Sequence, residues 1–242
     1  DTKRKLMNEA LALTRRQSLI TGWMIVDSGI RQDVPALLSH YDAMLSTNSS
    51  ATSTFIPVMA KALSNDDAID PFANLLNGQP RWANQFWKSV ISTPEALDNA
   101  VVLRKALYKR NEPEGVYEDA GLIRALIDNG NFEQARELYY RLVDTPRTGN
   151  LLINGSFETA AVYAPLDWQL FSTGEYGAVT NDGKLELSII RNSGGMLARQ
   201  LVKLPARVLT LEARAGTPAD VNAEIFIVLR CAEQMTGAPS AV

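Results

Sequence analysis

One histidine, His40, and one cysteine, Cys231, bound the chemistry open to this chain. A Ser–His–Asp arrangement would have to use His40, and no G-x-S-x-G elbow exists to present a nucleophile. His40 sits beside Tyr41 in a helical pattern, which favours a structural role. A single thiol makes neither an intrachain disulfide nor a cysteine-based zinc site, and in an apolar strand it reads as a small buried hydrophobe. The glycine-rich phosphate loops are absent. Acidic residues gather twice. Glu112, Glu114, Glu118 and Asp119 fall at a loop and helix start, where negative charge suits the helix dipole, so a solvated helix N-terminus is expected. Asn65, Asp66 and Asp67 lack the spacing of a calcium loop and read as a capped helix start. The expectation is a protein that is not an enzyme. A cryptic glycoside hydrolase is the alternative, but no pair of carboxylates is singled out for it.

Binding chemistry is better represented. Sugar recognition needs flat aromatic faces for the C–H surfaces of pyranose rings and planar polar groups for the hydroxyls. Trp168, Tyr176 and Phe226 supply the first; Glu212 and Arg214, with Glu224 and Arg230, supply the second on polar strand faces. Each has a competing role. Trp168 suits a core, Phe226 suits a contact with the helical half, and polar strand faces are commonly just solvated.

Two kinds of element must position these residues. In the first half, apolar residues recur at three- and four-residue spacing. The run 6–26 carries Leu6, Ala10, Leu13, Ile20, Trp23 and Met24. Residues 34–45 place Leu37, Leu38, Tyr41 and Leu45 on one face, and 52–63 continue with Phe55, Val58, Met59 and Leu63. Further helical pieces follow to Val143, separated by short breakers such as 65–67, 77–80 and 111–115, and such short links predict antiparallel neighbours. Trp82 and Trp87 are five apart on one helix, so at least one belongs in the core. Within 122–143, Leu126, Gly130, Phe132, Ala135 and Tyr139 follow one another, with Pro146 beyond. This pair resembles the tetratricopeptide repeat, in which a Gly closes the first helix, an aromatic enters the second and a small Ala lets the two approach. Ile123 departs from that pattern, and no other segment repeats the spacing cleanly. The first half therefore reads as a degenerate helical array or an irregular bundle. Its function is either a groove for a protein or peptide partner or plain scaffolding.

Near Asn150 the pattern changes to alternation. In 150–158, Leu151 and Ile153 point one way and Leu152 the other, Asn154–Gly155 signals a turn or bulge, and Phe157 returns to the core. Residues 184–190 alternate with Leu185, Leu187 and Ile189 inward. Residues 208–216 do so with Leu209, Leu211 and Ala213, and 222–231 with Ile225, Ile227, Leu229 and Cys231. These runs predict an antiparallel sandwich. The opening NLLINGSFE, the following Trp168, and Gln200 ahead of the 208–216 strand resemble carbohydrate-binding modules of the family 4/9 type, which are β-jelly rolls. That resemblance covers about 150–231 and implies a sugar-binding domain, though related sandwiches also serve as inert spacers. In similar modules the Glu at the place of Glu158 can ligate a structural calcium, with backbone carbonyls completing the shell; a plain hydrogen-bonded Glu is the other reading. About seven strands are visible where a jelly roll has eight, and 233–242 offers no convincing last strand.

The whole is expected to be an α+β, multidomain chain, with an all-α helical-repeat-like domain over 1–146 and a jelly-roll-like antiparallel β-sandwich over 147–242. Its 242 residues are 46% hydrophobic and 21% charged, ample for two cores. The net charge of −3 is spread evenly, which removes the electrostatic footprint of nucleic-acid binding. No stretch reaches the roughly 20 apolar residues of a membrane span. Asp1 in place of Met predicts a processed or trimmed N-terminus, with any targeting segment outside the chain. The functional expectation is a non-catalytic accessory or assembly protein of a periplasmic or extracellular setting, binding polysaccharide through the sandwich and protein through the helices. A pure protein-interaction scaffold is the alternative.

Overall fold

The computed structural model describes residues 2–13, 18–109, 116–143, 150–216 and 224–232. The chain divides into two units, Asp1–Thr145 and Pro146–Val242, and its class is α+β.

The first unit is helical. It contains α1 (Thr2–Leu13), α2 (Ser18–Ile30), α3 (Val34–Thr47), α4 (Thr52–Ala62), α5 (Ile69–Leu76), α6 (Ala83–Ile91), α7 (Leu97–Lys109), α8 (Val116–Asp128) and α9 (Phe132–Leu142). The helical run expected over 6–26 falls on α1 and α2, with 14–17 outside the described residues. Side-chain caps set several starts. Asp33 accepts from the Ala36 amide at 3.2 Å, and Asn48 accepts from that of Ser50 at 3.1 Å. Asn65 accepts from the Asp67 amide at 3.2 Å, so the Asn65–Asp67 run is a cap as its composition implies. Helices α4, α5 and α7 are each entered through one 3₁₀ turn: 49–51, 66–68 and 94–96.

Packing follows a ladder. Helix α3 packs on α5, α5 on α7 and α7 on α9; in a second row α4 packs on α6 and α6 on α8. Contacts between next-but-one helices are what stacked helix pairs produce. The core is apolar and continuous: Met59, Leu63, Phe72, Phe86, Leu97, Leu103, Leu122, Ile123, Leu126, Leu138 and Tyr139 are all excluded from water. Trp82 and Trp87 are both buried, and Trp82 Nε1 donates to Asp42 at 2.9 Å. Polar ties also cross between helices. Asn99 Nδ2 donates to the Leu63 carbonyl at 2.9 Å, and Arg104 forks onto Asp119 at 2.5 and 2.8 Å. Asp119 is therefore no solvated N-terminal charge. It is 1% exposed, because α8 turns it inward to meet the one guanidinium that α7 buries. Glu112 and Glu114 lie outside the described residues.

Helix α8 ends as its sequence requires. Gly130 has φ +82°, its amide donates to Ile127, and the Asn131 amide donates to Leu126, a Schellman closure that only a residue tolerant of positive φ makes freely. Ala135 is fully buried where the two helices meet.

Among the described residues the second unit shows two small antiparallel sheets, and a full sandwich is not shown. Strand β2 (Tyr176–Asn181) pairs with β3 (Lys184–Ile189), and β1 (Gln169–Leu170) pairs with β4 (Ala198–Arg199). The β2–β3 turn, Asp182–Gly183, has φ +47° and +69°, the two positive angles of a two-residue hairpin. Three expectations fail here. Residues 151–156 form bends and turns in place of a strand. Leu187 and Ile189 are exposed, since among the described residues β3 pairs with β2 alone. Residues 208–216 and 224–231 carry no regular structure, and Leu211 and Ile225 are 58% and 49% exposed. Alternation tells a segment which side is apolar; it does not supply the neighbouring strand and opposing layer that make a strand stable.

Candidate functional site

The opening motif of the second unit closes into a polar clasp. Gln200 binds both backbone groups of Ile153, accepting from its amide at 2.9 Å and donating to its carbonyl at 2.8 Å. A side-chain amide thereby plays the part of a paired strand. Asn154, at φ +51°, holds both backbone groups of Thr159 with its side chain, at 2.7 and 3.2 Å. Its own carbonyl accepts from Trp168 Nε1 at 3.0 Å, and the Trp168 ring leans on Phe157 with centroids 5.2 Å apart. One residue missed in the sequence completes the region. The buried Asp167 carboxylate accepts from the Val162 and Tyr163 amides, both at 2.9 Å. A carboxylate beside an aromatic carries no periodic signal, so only its position next to Trp168 could have marked it.

This geometry decides how the candidate residues can act. Trp168 is half-buried and engaged at both its nitrogen and its ring, as a core residue would be. Tyr176 is half-buried, and a Cβ at Gly195 would stand 2.2 Å from its Cζ, so the chain at 195 lies directly against the hydroxyl end of the ring. Phe226 is 76% exposed, and Glu212 and Arg214 are exposed on an irregular segment. The structure thus brings Trp168, Phe157, Asn154 and Gln200 into one region, while Phe226, Glu212 and Arg214 stand on segments without strand neighbours. Glu158 is exposed; its Cγ comes within 3.9 Å of where a Cβ on Gly183 would be, at the β2–β3 turn. Among the described residues no group of three or more His, Cys, Asp or Glu could hold a metal, so calcium at Glu158 would have to lean on backbone carbonyls.

In the first unit, burial pushes the His40 imidazole below its ordinary value of 6.5, opposed by Asp33 and assisted by Arg31. Asp27 is held below the usual carboxylate range, first by its hydrogen bond from Arg4 and then by Arg31, against the upward push of burial. These guanidiniums approach to 2.9 and 3.0 Å. No described helix is long and apolar enough to cross a membrane.

Two segments of the second unit expose apolar side chains. Val208, Leu209, Leu211 and Ile225 through Leu229 all face solvent, with Val208 96% exposed. No protein-family model, curated protein or solved structure matches the chain.

Proposed function

We propose that the chain is a non-catalytic protein-interaction scaffold, whose helical unit is a tetratricopeptide-like array and whose second unit docks on another protein by adding strands to it. The observation that carries this reading is the solvent-facing apolar chain at 208–211 and 225–229. Soluble proteins rarely leave so much contiguous apolar chain uncovered without a partner. An apolar segment that pairs with no strand among the described residues fits an exposed sheet edge, which supplies hydrogen bonds along the ladder and pockets for apolar side chains. Covering each Leu, Ile or Val contributes roughly 1.5–3 kcal/mol toward offsetting the costs of association. The closure of α8 at Gly130 and the buried Ala135 support the repeat-like reading of the helices.

The test is peptide selection by display on the whole chain, with Ile227→Asp as the counter-selected variant. Enrichment of alternating apolar peptides that lose binding to the variant is the expected result. Absence of such peptides, together with a saturable ligand on a glycan array, would reverse the reading.

Polysaccharide binding in a periplasmic or extracellular setting is the second reading, favoured by one observation, the open ring of Phe226 between Glu224 and Arg230. On that reading Phe226→Ala abolishes calorimetric sugar binding and leaves the melting temperature alone.

A further inference from the structure

Helix α2 is apolar on two opposite sides. Thr21, Met24, Ile25 and Ser28 face inward and are buried. Leu19, Val26 and Ile30 face solvent at 86%, 59% and 79%. At about 100° per residue these three fall within about 40° of one another, with the half-buried Trp23 beside them. The spacing is 19, 23, 26, 30, a helical stripe three turns long.

We propose that this stripe is the contact of a homodimer, in which α2 packs antiparallel against α2 of a second copy of this chain. Three observations point to a second copy over other occupants. The stripe is uncharged: Asp27 is the one charged residue of α2, and it is closed between Arg4 and Arg31, so no charged partner is called for. The helix has no basic face, which an interfacial membrane helix needs. The surface is also complementary to itself. Gly22 and Gly29, seven residues apart like Leu19 and Val26, flank the stripe, and a Cβ on either would have nothing within 4 Å. They leave shallow notches alongside the Leu, Val and Ile knobs. About a two-fold axis an antiparallel copy sets Leu19 against the second copy's Ile30 and Val26 against its Trp23, with the glycine flank giving the backbones room to approach. Such mutual matching is what an isologous interface demands. The Arg4–Asp27–Arg31 cluster closes the other flank. One helix face of this length covers less than the roughly 800 Å² per partner of a standard interface, so the dimer is weak and its population depends on concentration.

Sedimentation equilibrium on the full chain tests this. The expected apparent mass rises from 26.6 kDa toward twice that value as concentration increases. Val26→Asp, at an exposed position that leaves the helical circular dichroism unchanged, holds the mass at one chain. Val228→Asp, in the second unit, leaves the association as it was. In a Cys231→Ser background, mixing Leu19→Cys with Ile30→Cys yields a disulfide between copies, whereas Leu19→Cys alone does not. A mass of one chain at every concentration overturns the proposal. So does dimerisation that survives Val26→Asp or is lost with Val228→Asp, and a Leu19→Cys disulfide formed alone overturns the antiparallel arrangement.

Discussion

The two units hold themselves together by different means. In the helical unit, large side chains do the work: Phe72, Phe86, Met59, Leu103 and Tyr139 are sealed from water. In the second unit, Leu166 is the only large side chain among the described residues sealed to that degree. Its order is set by hydrogen bonds between backbone groups and the side chains of Gln200, Asn154, Asp167 and Trp168. One unit is defined by what it excludes; the other is defined by what it ties. The difference has a local origin. A helix satisfies its own backbone and needs only one apolar face covered, whereas a strand needs neighbours before any face is covered.

That contrast can be broken most forcefully at its exceptions. Arg104→Ala strands Asp119 inside the helical unit, and a loss of about 3–5 kcal/mol is expected from chemical denaturation followed at 222 nm. A loss under about 1 kcal/mol would mean that the pair is not buried in solution. Gln200→Ala leaves the two backbone groups of Ile153 without partners. It should cost about 1–3 kcal/mol in a transition read by Trp168 near-ultraviolet dichroism, with the helical signal unmoved. If the helical transition shifts by the same amount, the two units do not unfold separately. Gly130→Ala forces a side chain into a left-handed turn and should cost about 1–2 kcal/mol, in the helical unit alone.

The smallest effects are in pH. A His40 imidazole depressed below 6.5 in the folded state contributes stability that is complete above that value. The contribution fades as pH falls through the window beneath it, because the unfolded chain takes up the proton first. Asp27 behaves likewise below 3.8, its contribution lost as pH falls through the lower folded value. His40→Gln should flatten the upper window and leave the lower one unchanged in midpoint measurements.

The same contrast explains what the sequence revealed. Periodicity near 3.6 located α3, α4 and α9 closely because a helix is specified by its own residues. Gly130 and Ala135 announced the packing of α8 on α9 through types that few other roles require. Alternation at 184–190 gave β3, helped by the Asp182–Gly183 turn beside it. Equal alternation at 208–216 and 224–231 gave no strand, since pairing is a property of two segments and the pattern reports one. The opening motif was legible as a set of residues: Asn154, Trp168 and Gln200 do meet. Trp168 and Gln200 tie backbone groups together, and Phe226 carries the most exposed ring of the three aromatic candidates. Asp119 was misread because composition at a helix start cannot tell which carboxylate turns inward.

The next-but-one packing of the helices has a consequence for how such a chain can change. Since α5 leans on α3 and α7, and α6 on α4 and α8, each rung answers only to those adjoining it. A change at one end of the helical unit is therefore felt first by the helices packed against it and reaches the far end only through those between.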